Sequence, residues 1–413
     1  MKSIWLAGVL GACAAMTAAL PASAESWARS WAVSPQAPTP GGGRFPGSPT
    51  FHDQTVRQVV RLSGGGNKVR IRFTNEFGAA PVQIGGAHVA LSGEDGAIKA
   101  GTDHVLTFGG RTSATILPGA PLLSDPVDMK VANLARLTIS TYLPGQVDSC
   151  TCHATSMQAG WEAAGDHAGD VTLPDAKPMA QRALISGVDV ASAKPAHTIV
   201  AFGDSITDGV GSSMNKNLRW PDQLADRLVK RGGAAVYVAN EGISGNRVLG
   251  DGAGVSALAR FDRDVLSTPG LAYVIVFEGI NDIGIGYAPK TEGRPSFFPP
   301  NAGPPPTAED IIGAYRQMIA RAHEKGVMVY GATIAPYEGA LYASPEGNKV
   351  REEVNHWIRT GHGFDGVLDF DKAMRDPAHP TQIKPGFHMG DHLHGSDAGY
   401  AAVAKSIDLK LFK

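Results

Sequence analysis

The sequence predicts an all-β half of sandwich or jelly-roll type, followed by a three-layer α/β half with a mostly parallel sheet. Three observations predict it. With 413 residues, 43% of them hydrophobic, the chain is long enough for two or three domains. Up to about residue 191, apolar and polar residues alternate in short runs separated by glycine turns. That period puts one strand face on a core and one in water. Beyond Ser192-Ala193-Lys194-Pro195, continuous apolar runs alternate about five times with segments of helical period, as in a sheet covered on both faces.

The first 24 residues read as an address. Met1-Lys2 precedes an apolar run from Ile4 to Leu20, and Pro21-Ala22-Ser23-Ala24 forms an A-x-A cleavage site. The run is rich in Ala and Gly and broken by Pro21, a poor match to the strongly apolar stretch that spans a bilayer. The expected organisation is a signal peptide over 1–24, a β domain over 25–194 and an α/β domain over 195–413. The expected product is secreted or periplasmic, with no stable membrane insertion. Leu10-Gly11-Ala12-Cys13 loosely resembles a lipobox, so a lipoprotein anchored at Cys13 is the alternative.

In the first half, Val69, Ile71 and Phe73 alternate with Lys68, Arg70, Arg72 and Thr74. Leu137, Ile139, Thr141 and Leu143 alternate with Thr138, Ser140 and Tyr142. In the second half, Thr198–Phe202, Ala234–Ala239, Tyr273–Phe277 and Val327–Ile334 read as buried strands. Pro221–Arg231, Ala308–Glu324, Gly347–Arg359 and Ser396–Leu411 read as helices. No repeat of 20–50 residues is evident.

Composition excludes several function classes. Lys plus Arg is 37 and Asp plus Glu is 39, a net charge of −2. This is not the basic excess of a nucleic-acid or membrane-surface binder. The cysteines Cys13, Cys150 and Cys152 form no paired CxxC units, which argues against structural zinc and iron–sulfur clusters. Cys150 and Cys152 either form a small disulfide in an oxidising compartment or stay as thiols.

Ligands of such sheets bind at the carboxyl ends of the strands, and the chemistry-bearing residues lie there. The first strand ends in Gly203-Asp204-Ser205-Ile206-Thr207-Asp208-Gly209. A Ser after a buried strand, opening a helix, has backbone N–H groups aimed at whatever its hydroxyl attacks. The second strand ends in Asn240-Glu241-Gly242-Ile243-Ser244-Gly245-Asn246, and the third in Glu278-Gly279-Ile280-Asn281-Asp282. The Asn281 amide offers a donor for a developing oxyanion. Near the C-terminus stands Asp391-His392-Leu393-His394. A hydroxyl nucleophile needs a base, and the base needs an acceptor on its other nitrogen. One turn of chain brings the Asp391 carboxylate onto the His394 ring, while His392 points elsewhere.

These four blocks together resemble the SGNH, or GDSL, hydrolases. The nucleophile block matches at Gly203-Asp204-Ser205, with Ile206 in place of the family's Leu. The glycine block falls on Gly245, the asparagine block on Asn281, and the last block on Asp391 and His394. The resemblance covers about Ala196 to Lys413. It implies a flavodoxin-like sheet and ester hydrolysis without a cofactor. It also implies a Ser205-His394-Asp391 triad and an oxyanion hole built from Ser205, Gly245 and Asn281. Trp27–Gln36, Thr55–Gln58 and Phe73–Gly78 are similar to the β domain preceding this catalytic domain in some secreted members. Carbohydrate binding by that domain is an analogy.

Ile283–Thr307 is a long Gly/Pro-rich stretch. Either it walls the site with Phe297 and Phe298, or it is a surface loop without a substrate role. Trp161 packs in the β core or stacks on sugar rings. His388, His392 and His394 are alternatively a metal group, although the Asp-x-x-His pairing accounts for His394 and no metal is expected. The expected partner is an ester substrate, an acylated polysaccharide in the first reading. The rivals are a lysophospholipase or thioesterase, an acyl transferase acting on a sugar, and a carbohydrate-binding protein with an inert hydrolase domain. Oligomeric state is not legible.

Overall fold

The computed structural model describes residues 25–40, 47–193, 195–289 and 304–413. The leader expected over 1–24, with Cys13, lies outside them. Among the described residues no helix is long and apolar enough to cross a membrane.

The antiparallel half contains two larger sheets. In one, Ser26–Ala32, Ile185–Ser192, Gly66–Thr74 and Pro121–Leu123 are neighbours in that order, and Val127–Val131 also pairs with Gly66–Thr74. In the other the order is Lys177–Met179, Gly160–Ala164, Gln54–Arg61, Arg136–Leu143, Gly86–Leu91 and His104–Val105. Val69, Ile71, Phe73, Val188 and Val190 of the first share one apolar core with Val56, Val60, Val89, Leu137 and Ile139 of the second. Gly66–Thr74 alternates as expected, with Val69, Ile71 and Phe73 buried. Arg136–Leu143 does not, because Thr138 and Ser140 are buried as well. This strand is central and its polar face is covered. Arg57 donates to Ser140 Oγ (2.8 Å) and to the carbonyls of Asp170 and Val171 (2.6 and 3.1 Å), and Thr138 donates to the Gly96 carbonyl (3.2 Å). The hydroxyls are therefore satisfied away from water. Cys150 and Cys152 are joined in a disulfide.

In the second half, strands β1 (Ala196–Gly203), β2 (Ala235–Gly242), β3 (Leu271–Phe277), β4 (Met328–Ala332) and β5 (Gly366–Leu368) form a parallel sheet in the order 2-1-3-4-5. That is the doubly wound order of flavodoxin-like folds, whose ligands bind where the order reverses, between β1 and β3. Helices α1 (Ser205–Asp208) and α2 (Trp220–Arg231) follow β1; α3 (Ala257–Phe261) follows β2 and α4 (Ile280–Tyr287) follows β3. Then come α5 (Ala308–His323), α6 (Pro345–Thr360), α7 (Phe370–Met374) and α8 (Asp397–Ser406). The helices form two groups, α2 with α7 and α8, and α3 and α4 with α5 and α6. Apolar strand residues such as Ile199, Val200, Val274 and Ile275 are fully buried between them.

Two expectations change. The last helix stops at Ser406 rather than running to Leu411, where only a 3-10 turn forms. There the Arg227 guanidinium takes the carbonyls of Ala404 and Ile407, supplying partners for orphan helix-end groups. The stretch read as loop from Ile283 begins as helix, since α4 continues to Tyr287. The short β5 and α7 showed no period to read.

The two halves share polar contacts. Arg29 N–H donates to Thr198 Oγ1 (3.1 Å), Val238 N–H to Ser63 Oγ (2.9 Å), and Ser34 Oγ to Glu241 Oε2 (2.7 Å). Where these meet, Arg260 of α3 is buried and stacks on the Phe202 ring at 4.1 Å. It donates to the carbonyls of Gly203 (2.9 Å) and Glu241 (2.8 Å), to Ser34 Oγ (3.0 Å), to Asn246 Oδ1 (2.8 Å) and to Asp264 (3.1 Å). Arg260→Met removes all of these donors and leaves buried acceptors unpaired. The expected outcome, read from urea unfolding, is a loss of about 3–5 kcal/mol.

Candidate active site

β1 ends at Gly203, where a Cβ would lie 2.3 Å from both the Phe277 carbonyl oxygen and Thr207 Oγ1. Only glycine lets the strand end approach this turn so closely. Asp204 then caps α1, accepting from the Ile206 N–H at 2.9 Å. Ser205 is the first helical residue and is 5% exposed. Its Oγ lies 2.8 Å from His394 Nε2. His394 Nδ1 lies 2.6 Å from Asp391 Oδ2, and Asp391 Oδ1 accepts from the N–H groups of Leu393 and His394 at 3.0 Å. Burial pushes the Asp391 carboxyl up, but the His394 hydrogen bond and charge, with the two backbone donors, outweigh it and hold it at about 2. An ionised carboxylate only accepts, so Nδ1 carries the hydrogen and Nε2 is free to accept from Ser205. His392 turns away and stacks on His388 at 4.4 Å.

Gly245 lies in the left-handed region (φ +79°) in the turn after β2, a conformation that side chains resist. Asn281 opens α4 with its amide held in one sense: Nδ2 donates to the Asn246 carbonyl (2.9 Å) and Oδ1 accepts from Tyr342 (3.2 Å). One amide hydrogen is left over. Among the described residues, the N–H groups of Ser205 and Gly245 donate to no other group. Phe297 and Phe298 lie outside the described residues.

Several side chains that sequence reasoning passed over hold this frame. Asp282 accepts from the N–H groups of Val248 (2.7 Å) and Leu249 (2.9 Å), tying the glycine turn to α4. Asp208 Oδ2 accepts from the Ser244 N–H (3.1 Å) and hydroxyl (2.5 Å), and its Oδ1 lies 3.0 Å from His153 Nε2. Asp208 and Asp282 lie inside recognised blocks, but no spacing rule assigns them partners. His153 comes from the antiparallel half, where nothing local marks it.

Behind Ser205 lies a set of buried carboxyls. Burial pushes Asp204 up to about 7, Glu241 up to about 8 and Asp282 up to about 6, and raises Glu278 well above the carboxylate range. Glu278 is 1% exposed, and among the described residues neither of its carboxyl oxygens has a partner. A raised acid keeps its proton in the folded state after the unfolded chain has lost it. Its effect is therefore absent at low pH, and stability falls as pH rises from the ordinary carboxylate range toward the raised value. Glu278→Gln removes this contribution. Melting temperatures at pH 5 and pH 8 should lie closer together in the variant than in the wild type. An unchanged gap would show that Glu278 is ionised when folded.

Residues 201–402 match the model of the GDSL-like lipase/acylhydrolase family. No curated protein matches the chain. Similar solved structures include a lipase/acylhydrolase from Enterococcus faecalis, with 21% identity over 51% of this chain and 92% of that one and a TM-score of 0.38. A lipolytic G-D-S-L family member from Veillonella parvula shows 19% identity over 52% and 98%, TM-score 0.37. An acetyl xylan esterase, AlAXEase, shows 21% identity over 51% and 96%, TM-score 0.38.

Proposed function

We propose, for a chain whose residues 201–402 belong to the GDSL-like lipase/acylhydrolase family and which is an ester-hydrolysing enzyme, that Ser205, His394 and Asp391 are its triad. The carrying observation is the unbroken hydrogen-bonded line from Ser205 Oγ through both His394 nitrogens to Asp391. His394 takes the Ser205 proton as Oγ attacks the ester carbonyl, and Asp391 stabilises the imidazolium that forms. The N–H groups of Ser205 and Gly245 and the free amide hydrogen of Asn281 receive the oxyanion. His394 then protonates the departing alcohol. Water, activated by the same base, attacks the acyl-Ser205 ester and releases the carboxylic acid.

The substrate in this reading is a small acyl ester, such as an acetylated carbohydrate. Ser205 is only 5% exposed, which favours a short acyl group. The same proposal divides the chain into an exported leader (1–24), an accessory β domain (25–194) and a catalytic domain (195–413). A lipolytic reading has one observation in its favour. Leu249, Leu341 and Met389 are exposed apolar side chains, each close in sequence to a residue that holds the site.

Ser205→Ala should lower kcat by about 10⁴–10⁶-fold with an unchanged far-UV circular dichroism spectrum. A variant that stays active removes the assignment. In wild type, p-nitrophenyl esters of increasing chain length, run beside acetylated glycans, decide the substrate class. Acetate release from glycans supports the first reading and a preference for long chains supports the lipolytic one. The base role requires activity to fall toward acid pH, because only a neutral imidazole can take the Ser205 proton. A flat rate profile from pH 4 to 8 contradicts it.

A further inference from the structure

His153 lies on the two-residue strand Cys152–His153, directly after the disulfide, and is 1% exposed. It belongs to the antiparallel half, yet its ring reaches α1. Nδ1 faces the Ser34 carbonyl oxygen at 2.9 Å and Nε2 faces Asp208 Oδ1 at 3.0 Å. A carbonyl has no hydrogen to give, so Nδ1 carries one. Asp208 already accepts two hydrogens from Ser244 on its other oxygen. With its other oxygen facing Nε2 as well, Asp208 serves as an acceptor on both oxygens, and a carboxylate only accepts. Both ring nitrogens are then protonated, and the ring is an imidazolium paired with a buried carboxylate.

The charged and titratable groups around the ring agree with this. Burial acts most strongly and disfavours the charged ring, while Asp208 of α1, then the Ser34 carbonyl and least of all Glu241 of β2, favour it. The balance lies above the ordinary imidazole value. Arg219, ahead of α2, also interacts with Asp208. Asp208 in turn binds Ser244, the residue before Gly245. The backbone at Gly245 is in its left-handed turn, so the direction of its N–H follows from how Ser244 is held.

We propose that His153 is a positioning residue for the oxyanion hole. Its imidazolium fixes Asp208, Asp208 fixes Ser244, and Ser244 aims the Gly245 N–H. The assignment rests on the reading of Gly245 as an oxyanion donor. It makes the antiparallel half part of the catalytic apparatus, independently of any carbohydrate it binds. Loss of the ring proton releases Asp208, so Ser205-dependent activity falls at alkaline pH, above the ordinary imidazole range.

The experiment compares wild type with His153→Gln in the full chain, using a p-nitrophenyl ester. A misplaced donor costs about 10–100-fold, so kcat should fall by that factor with little change in KM. The alkaline limb of the wild-type rate profile should disappear. If the variant is merely less stable while its folded fraction keeps the wild-type kcat and alkaline limb, the proposal is overturned. Should the variant not fold, ¹⁵N-histidine NMR of the wild type still decides. His153 must show two protonated nitrogens at pH 7.5, and a neutral ring there overturns the proposal. Ser205→Ala tests the esterase reading separately: it abolishes turnover and leaves the His153 spectrum unchanged.

Discussion

At the carboxyl ends of β1 and β2, the guanidinium of Arg260 takes the carbonyl oxygens of Gly203 and Glu241 and bridges to Ser34, Asn246 and Asp264. Gly203 and Gly242 are paired across the two strands, so this cation closes the edge from which both the Ser205 turn and the Gly245 turn emerge. A planar fork of five donors is suited to such a junction, and a lysine would not reach its acceptors together. The surrounding interior is acidic, with Asp204, Glu241, Glu278 and Asp282 all buried. Without hydrogens or cations near them these carboxyls would be costly to bury. Their raised values are the other side of that cost.

The same constraint explains why the two halves are not joined by apolar packing alone. Ser34 of the antiparallel half donates to Glu241 and accepts from Arg260, and His153 meets Asp208. The buried polar groups of the α/β half find some of their partners only in the other half. Such networks specify one arrangement when every member is satisfied. Here that arrangement includes the turns that carry Ser205 and Gly245.

Much of the molecule is legible residue by residue. Buried parallel strands need apolar side chains on both faces, so Ile199–Phe202 and Tyr273–Phe277 announce themselves. Asp391 and His394 are three residues apart, and one turn of chain closes their contact. Leu137–Leu143 misled, because its polar alternation looked solvent-facing, whereas Arg57 and the 165–171 segment cover it. The short β5 and α7 contain too few residues to show a period.

By itself the sequence determined the two kinds of half, the positions of the four blocks and the Asp391–His394 pairing, because each depends on neighbours along the chain or on side-chain period. Only the tertiary structure decided that Ser205, separated from His394 by 189 positions, meets its Nε2. It also decided that Tyr342 orients Asn281, that Arg260 joins the strand ends, and that His153 supports Asp208 from the other half. These contacts join residues whose spacing in sequence carries no information about their spacing in the fold. Burial, which makes an unpartnered polar group expensive, exists only once the chain has closed around them.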